Sequence, residues 1–226
     1  MRRIIPGRFR GRTRGLDDEL SFWRAYIETR GLQWPEEYEQ RVDPRTALRA
    51  DIASYLDGNR VLDAGAGPLT ILGKTVAGRT LDLVPVDALA NRYDELLEQL
   101  GVRPPVRTIQ GLTEELASQF PRDSFDLAYA RNTLDHSSDP IEAVRQMALV
   151  TRPGGIVFLE HADNEGARNG YGGLHQWNLL LADGHLLVSK RSRRPRDLGE
   201  ELSSILETVE TRKGEDRLHT VVLRRI

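Results

Sequence analysis

From residue 60 onward the chain alternates short apolar runs with amphipathic stretches of helical period, and this alternation leaves few folds open. "RVLDAG", "TLDLVPVD", "VRTIQG", "SFDLAYARN" and "GGIVFLEH" read as strands. Between them, "PLTILGKTVAG" reads as a short helix and "TEELASQF" as another. "ALANRYDELLEQLG" is a helix with Leu89, Tyr93, Leu96, Leu97 and Leu100 on one face, and Asp139-Pro140 starts the helix "PIEAVRQMALVT". Strands that are apolar on both faces, each followed by a helix, predict a parallel sheet covered on both sides. After His161 the pattern changes. "ADNEGARNGYGGLHQWN" is rich in Gly and Asn and reads as a long loop, and "LLLADGHLLVSKR" as a hairpin across Asp183-Gly184. The tail "ILETVETRKGEDRLHTVVLRRI" reads as two antiparallel strands joined by a tight turn.

Ahead of the sheet, residues 1–15 read as a flexible basic arm and residues 16–57 as a helical cover. Leu16, Leu20, Trp23 and Ile27 recur at helical spacing up to Gly31. "QWPEEYEQRV" reads as a connector. Asp43-Pro44 then offers an N-cap and a proline at the first helical position, with Leu48, Ile52, Tyr55 and Leu56 as the buried stripe. Residues 58–226 form the main domain, with a loop and hairpin insertion at about 162–196. The helical cover precedes the first strand, and the expectation is that it covers the ligand pocket.

Composition narrows the function classes. A net charge of -2 over 226 residues argues against a nucleic-acid grip spread over the whole surface. Positive charge is still concentrated in "MRRIIPGRFRGRTRG", with six arginines, and in "KRSRRPR", with five basic residues. These read as exposed segments or as a site for an acidic partner. The absence of cysteine excludes disulfides, thiolate nucleophiles and Cys-ligated zinc, and no metal site is expected. No apolar run approaches the ~20 residues that span a bilayer, and the N-terminus lacks the apolar stretch of a secretory signal. The expectation is a cytoplasmic protein.

"VLDAGAGPLTILGKT" resembles three nucleotide-binding loops at once. A P-loop needs G-x-x-x-x-G-K-[ST], and Gly67 and Gly73 have five residues between them, one too many. A dinucleotide site wants a third glycine where Thr70 stands, and Pro68 removes an amide where a pyrophosphate would collect donors. An S-adenosylmethionine site uses every feature. Asp63 at the strand end can hold the ammonium of a methionine moiety, while Gly65, Ala66 and Gly67 let the backbone pass close to a ligand. Asp87, 24 residues further on at the end of "VPVD", can accept bonds from both ribose hydroxyls.

The chain resembles the class I S-adenosylmethionine-dependent methyltransferases. "VLDAGAG", "VPVDALA", "SFDLAYARNTLDH" and "RPGGIVFLEH" stand in the order and spacing of that family's motifs over roughly residues 45–162. The resemblance implies a Rossmann-like, mostly parallel seven-stranded α/β sheet with the last strand antiparallel. It also implies S-adenosyl-L-methionine as cofactor, with Asp63, Gly65 and Gly67 at its methionine part and Asp87 at its ribose. The adenine-side acid that often follows the third strand is Leu112 here, so the adenine contact passes to the Leu112 backbone and Glu114. Arg131 and Asn132 fall at the tip of the fourth strand, where methyltransferases contact cofactor and substrate.

The acceptor is expected beyond the carboxyl ends of the fourth and fifth strands. His136, His161 and His175 fall near that zone, and an imidazole titrating near 6.5 suits a general base. Asn132, Tyr171, Gln176 and Trp177 are candidate substrate contacts, and Arg131 can clamp a carboxylate or phosphate. The reading is a methyltransferase acting on a small polar acceptor, which can be anionic, at an oxygen. The alternatives are a methyltransferase for RNA or peptide and a non-catalytic cofactor-binding module.

Overall fold

The computed structural model describes residues 7–191, 193–214 and 217–226, with side chains from residue 15 onward. Three helices precede the sheet: α1 (Gly7–Glu28), α2 (Pro35–Val42) and the single turn α3 (Ala50–Ala53). Then follow β1 (Arg60–Ala64), a two-residue ribbon β2 (Thr75–Val76) and β3 (Arg79–Thr80), β4 (Asp82–Asp87) and α4 (Ala90–Gln99). Next come β5 (Ile109–Gln110), a 3₁₀ turn at Thr113–Glu115, α5 (Leu116–Gln119), β6 (Phe125–Arg131) and a second 3₁₀ turn at Leu134–His136. The chain continues through α6 (Pro140–Val150), β7 (Thr151–Ala162), α7 (Glu165–Arg168), β8 (Asn178–Ala182), β9 (His185–Ser189) and β10 (Arg196–Asp197). It ends with α8 (Leu198–Leu202), β11 (Leu206–Lys213) and β12 (Leu218–Arg225).

Seven strands form one sheet in the order β11-β12-β7-β6-β1-β4-β5. β1 runs parallel to β4 and β6, and β6 parallel to β7, whereas β12 is antiparallel to both of its neighbours. The Rossmann-like sheet with its last strand reversed is thus present. Val61, Leu62 and Ala64 of β1 are fully buried, as a central strand covered on two faces requires. On one face α6 and α8 pack with β8 and β9 into the largest core cluster, so the hairpin is part of the domain core rather than an appendage. On the other, Leu48 and Ile52 cover β1, β6 and β7, while Trp23, Tyr26 and Ile27 of α1 meet Tyr93, Leu96 and Leu97 of α4. The Asp139 cap is built as its sequence implies, its Oδ1 accepting from Ile141 N at 3.0 Å and Glu142 N at 3.4 Å.

The N-terminal third departs from the sequence expectation. α1 takes in residues 7–15, assigned above to a flexible arm; arginine is a good helix former, so these residues extend the turn pattern of Leu16–Ile27. Residues 1–6 lie outside the described residues. "PEEYEQRV" is α2, with Pro35 at its start and Glu36 and Glu37 in its first turn, rather than a connector. Conversely, Asp43-Pro44 starts no long helix. Residues 46–48 instead run alongside 74–75, with Lys74 N donating to Thr46 O at 2.7 Å and Leu48 N to Thr75 O at 2.7 Å. That pairing also removes the short helix expected over 68–78, which is an open loop followed by the β2–β3 ribbon. Lys74 is only 3% exposed and donates from Nζ to Gln40 O at 2.8 Å. Burial holds its ammonium down, to about 8. The loop after β7 contains α7.

Candidate active site

The carboxyl ends of β1, β4, β6 and β7 open into a cavity of about 990 Å³, roofed by α1 and α2. This lies at the upper end of the ~300–1,000 Å³ of ligand pockets, so it has room for two reactants. Its floor is the turn after β1. Gly65 and Gly67 take positive φ, +74° and +65°. A Cβ on Gly65 would come within 2.0 Å of Thr133 Oγ1, and one on Gly67 within 2.4 Å of the Trp23 ring. Only glycine allows both the conformation and the approach. The amides of Gly65 and Ala66 both donate to Val86 O, which stitches the turn to β4.

Two carboxylates face each other across this turn. Asp63 is 2% exposed and accepts from Thr70 Oγ1 at 2.5 Å. Burial raises its carboxyl to about 6, against the pull of Thr70, Arg41 and Lys74 and with the push of Asp87. Asp87 accepts from Gly67 N at 3.0 Å and from Leu89 N at 2.8 Å, and burial again pushes it upward. Two desolvated acids in a cavity favour a ligand that brings positive charge and hydroxyl donors. S-adenosylmethionine, with its ammonium, sulfonium and ribose hydroxyls, fits that donor set.

The remaining cofactor candidates line the same cavity. Leu112 lies at its rim with its side chain exposed. Glu114 also lines it, but its Oε1 accepts from Ser138 N at 2.6 Å and Ser138 Oγ at 2.8 Å, tying the third strand's loop to the fourth's. Arg131 pairs with neither Asp135 nor Asp139; its Nη1 lies 3.6 Å from Glu37 of α2. Asn132, at φ +48°, donates from its amide to Glu160 O at 2.9 Å and accepts at Oδ1 from Ala162 N at 2.9 Å. It lines the cavity while bracing the end of β7.

On the acceptor side the structure joins two of the three histidines through a residue the sequence reading had not selected. His175 Nδ1 lies 2.7 Å from Asp135 Oδ2, and His136 Nε2 lies 3.2 Å from His175 Nδ1 and 3.6 Å from Asp135 Oδ2. Burial pushes Asp135 up, but the His175 bond and the His136 charge outweigh it and hold the carboxyl below its ordinary value. The same bond raises His175. His136 and His175 line the cavity. His161 does not: it is 2% exposed, its Nε2 has no hydrogen-bond partner, and burial pushes it down to about 3. It is a neutral core residue outside the cavity lining.

Tyr171, Gln176 and Trp177 are likewise corrected, because none lines the cavity. Gln176 Nε2 donates to Tyr171 O at 2.9 Å and Gly173 O at 3.0 Å, Asn178 Nδ2 donates to Tyr171 Oη at 2.8 Å, and Trp177 Nε1 donates to Ser137 O at 3.0 Å. Their polar groups brace the loop that presents His175. The expected helical cover does stand over the cavity, through residues the sequence had not singled out as site residues: Glu19, Trp23 and Tyr26 of α1 and Glu37 and Arg41 of α2 all line it. So do Arg49 and Glu160, a bidentate pair at 2.6 and 3.1 Å, to which buried Tyr129 adds its hydroxyl.

Known proteins share this architecture. A family model for the methyltransferase domain matches residues 62–159. A ubiquinone biosynthesis O-methyltransferase from Aeromonas salmonicida (strain A449) is 35% identical over 113 residues, 48% of this chain and 45% of that protein. The chain thus aligns with about half the length of the curated relatives it matches. Among solved structures, a possible histamine N-methyltransferase from Thermotoga maritima superposes with a TM-score of 0.56 at 12% identity, covering 94% of this chain and 99% of that one. The CcbJ methyltransferase from Streptomyces caelestis superposes with a TM-score of 0.51 at 17% identity, covering 77% and 92%. At such identities the structures speak for the fold, and the family model for the glycine turn and its flanking strands. Residues 62–159 thus match a methyltransferase domain, and the chain has the class I S-adenosylmethionine-dependent methyltransferase fold.

Proposed function

We propose that the protein transfers a methyl group from S-adenosylmethionine to an oxygen of a small polar acceptor. The observation that carries this reading is one cavity with two differently equipped ends. Asp63 and Asp87 stand at the glycine turn, and Asp135, His136 and His175 stand beyond the tip of β6. When bound, S-adenosylmethionine supplies an electrophilic methyl group. Asp63 holds its cationic amino-acid end and Asp87 its ribose. α1 excludes water above the glycine turn. An acceptor hydroxyl gives up a proton during in-line displacement, and the Asp135–His136–His175 group is the set of proton-handling side chains at that end. Arg131, loosely held by Glu37, offers a clamp for a carboxylate on the acceptor. The name of the aligned biosynthetic O-methyltransferase supports oxygen as the target and a small molecule as the acceptor.

A concave cavity under a helical roof suits a metabolite better than a polymer. Lys190 and Arg191 of the basic segment lie over the Trp177 and Tyr171 rings, away from the cavity. Two measurements test the proposal. Calorimetry with S-adenosylhomocysteine should show one site. Methyl-labelled S-adenosylmethionine incubated with fractionated cell extract should label the low-molecular-weight fraction. Label confined to RNA or protein would replace the acceptor class, and absence of S-adenosylhomocysteine binding would overturn the reading.

A further inference from the structure

We infer that Asp135 Oδ2, His136 Nε2 and His175 Nδ1 form a binding site for one first-row divalent transition cation at the acceptor end of the cavity. The three atoms lie 2.7, 3.2 and 3.6 Å from one another. Among the described residues they are the one group of three such side chains whose ligand atoms converge. Bonds of about 2.1 Å at angles of about 90–110° set neighbouring ligand atoms about 3.0–3.4 Å apart. The 3.2 Å side falls within that range and the 2.7 and 3.6 Å sides lie just outside it, so shifts of a few tenths of an ångström give a facial ligand set.

Protons satisfy this triangle poorly. A ring nitrogen carries at most one hydrogen. If His175 Nδ1 gives its hydrogen to Asp135, it has none left for His136. If His136 Nε2 gives its hydrogen to His175 Nδ1, that nitrogen turns a bare lone pair toward a carboxylate. One cation takes a lone pair from all three. Two imidazoles and one carboxylate suit the manganese-to-zinc series, whereas magnesium and calcium take oxygen ligands.

The triangle is also held rigidly from behind. Asp135 is 2% exposed and its backbone oxygen accepts from Gln176 N at 3.0 Å, while Trp177 Nε1 reaches back to Ser137 O at 3.0 Å. Both ligand-bearing segments are thus pinned to each other, as outer supports of a metal site must be. With His136 and His175 on the cavity wall, an ion bound there keeps coordination positions open toward the acceptor. Its purpose would be to make an acceptor hydroxyl easier to deprotonate, taking over that task from the three side chains now bound to it, with the proton passing to water. That purpose rests on the proposed methyl transfer; the binding itself does not.

The test uses the untagged full chain, stripped with a chelator. Co²⁺ is titrated and followed by visible absorption, and Zn²⁺ by calorimetry. One equivalent should bind, with ligand-field bands for Co²⁺. His136→Ala and His175→Ala should each weaken binding by at least ~10-fold, whereas His185→Ala, on the β8–β9 hairpin, should bind as wild type does. Both cavity histidines are partly exposed, so the two variants should fold, as circular dichroism will check. The inference is overturned by absence of stoichiometric binding, or by equal affinity in wild type and both variants. The same metal-free samples are titrated with S-adenosylhomocysteine. Cofactor binding without cation binding removes the cation site alone; cation binding without cofactor binding removes the proposed function and leaves the site.

Discussion

Asp63 and Asp87 do different work although both are desolvated acids at strand ends. Asp87 is held by two backbone amides, Gly67 N and Leu89 N, so removing it leaves these donors unpaired as well as the ligand's hydroxyls. Asp87→Ala should weaken S-adenosylhomocysteine binding by roughly 1–3 kcal/mol in a calorimetric titration. Asp63 has a single hydroxyl partner and a carboxyl raised from 3.8 to about 6. A raised acid favours the protonated native state, so the ligand-free fold loses stability as pH climbs from 3.8 to about 6 and stays level above it. The loss is on the order of 3 kcal/mol. A cationic ligand needs the ionised form, so cofactor affinity should fall below about pH 6, by up to about tenfold per pH unit. Asp63→Asn should flatten that pH profile, weaken the cofactor, and raise the denaturation midpoint of the ligand-free chain at pH 8. A profile unchanged by the substitution would count against this role.

At the scale of elements, the 169–178 loop shows how a side chain is positioned by neighbours that do not line the cavity. Tyr171, Gln176 and Trp177 spend their polar atoms inside the protein, and the result is that His175 meets Asp135. His175→Ala should lower turnover while S-adenosylhomocysteine affinity stays near wild type; full activity would return the loop to a purely structural role. The α6 cap offers a contrasting case, in which one side chain serves folding alone. Asp139→Ala should cost ~0.5–2 kcal/mol in chemical denaturation with cofactor binding intact. Some of this was readable in advance. The Asp139 cap, the α4 face and the strands β1, β4, β6 and β7 follow from local chemistry, because a cap or a buried stripe is written within a few residues. What residues 43–49 would do was not, since their hydrogen bonds go to Lys74 and Thr75, about thirty residues away. Asp135 was passed over for the same reason: its partner His175 is 40 residues downstream.

At the scale of the molecule, the sheet, its glycine turn and the presence of a helical cover were legible, and the contacts that hold that cover in place were not. Asp63, Gly65, Gly67 and Asp87 sit on one continuous β1–turn–β4 segment whose pattern encodes its own geometry. Trp23 and Arg41 read as members of a stripe and a connector, yet they meet. The Arg41 guanidinium lies 5.3 Å over the Trp23 ring, pairs with Glu37 at 2.8 Å and donates to Leu69 O. These contacts bind α1 and α2 to the loop after the glycine turn. Because Trp23 rests on the Gly67 backbone, the first helix and the cofactor turn are mechanically tethered, and whatever stills one must still the other. Arg24 and Arg30 put trypsin sites on and just beyond that helix. Limited digestion at these two arginines should therefore slow when S-adenosylhomocysteine is present, making a protease a gauge of occupancy some distance from the chemistry.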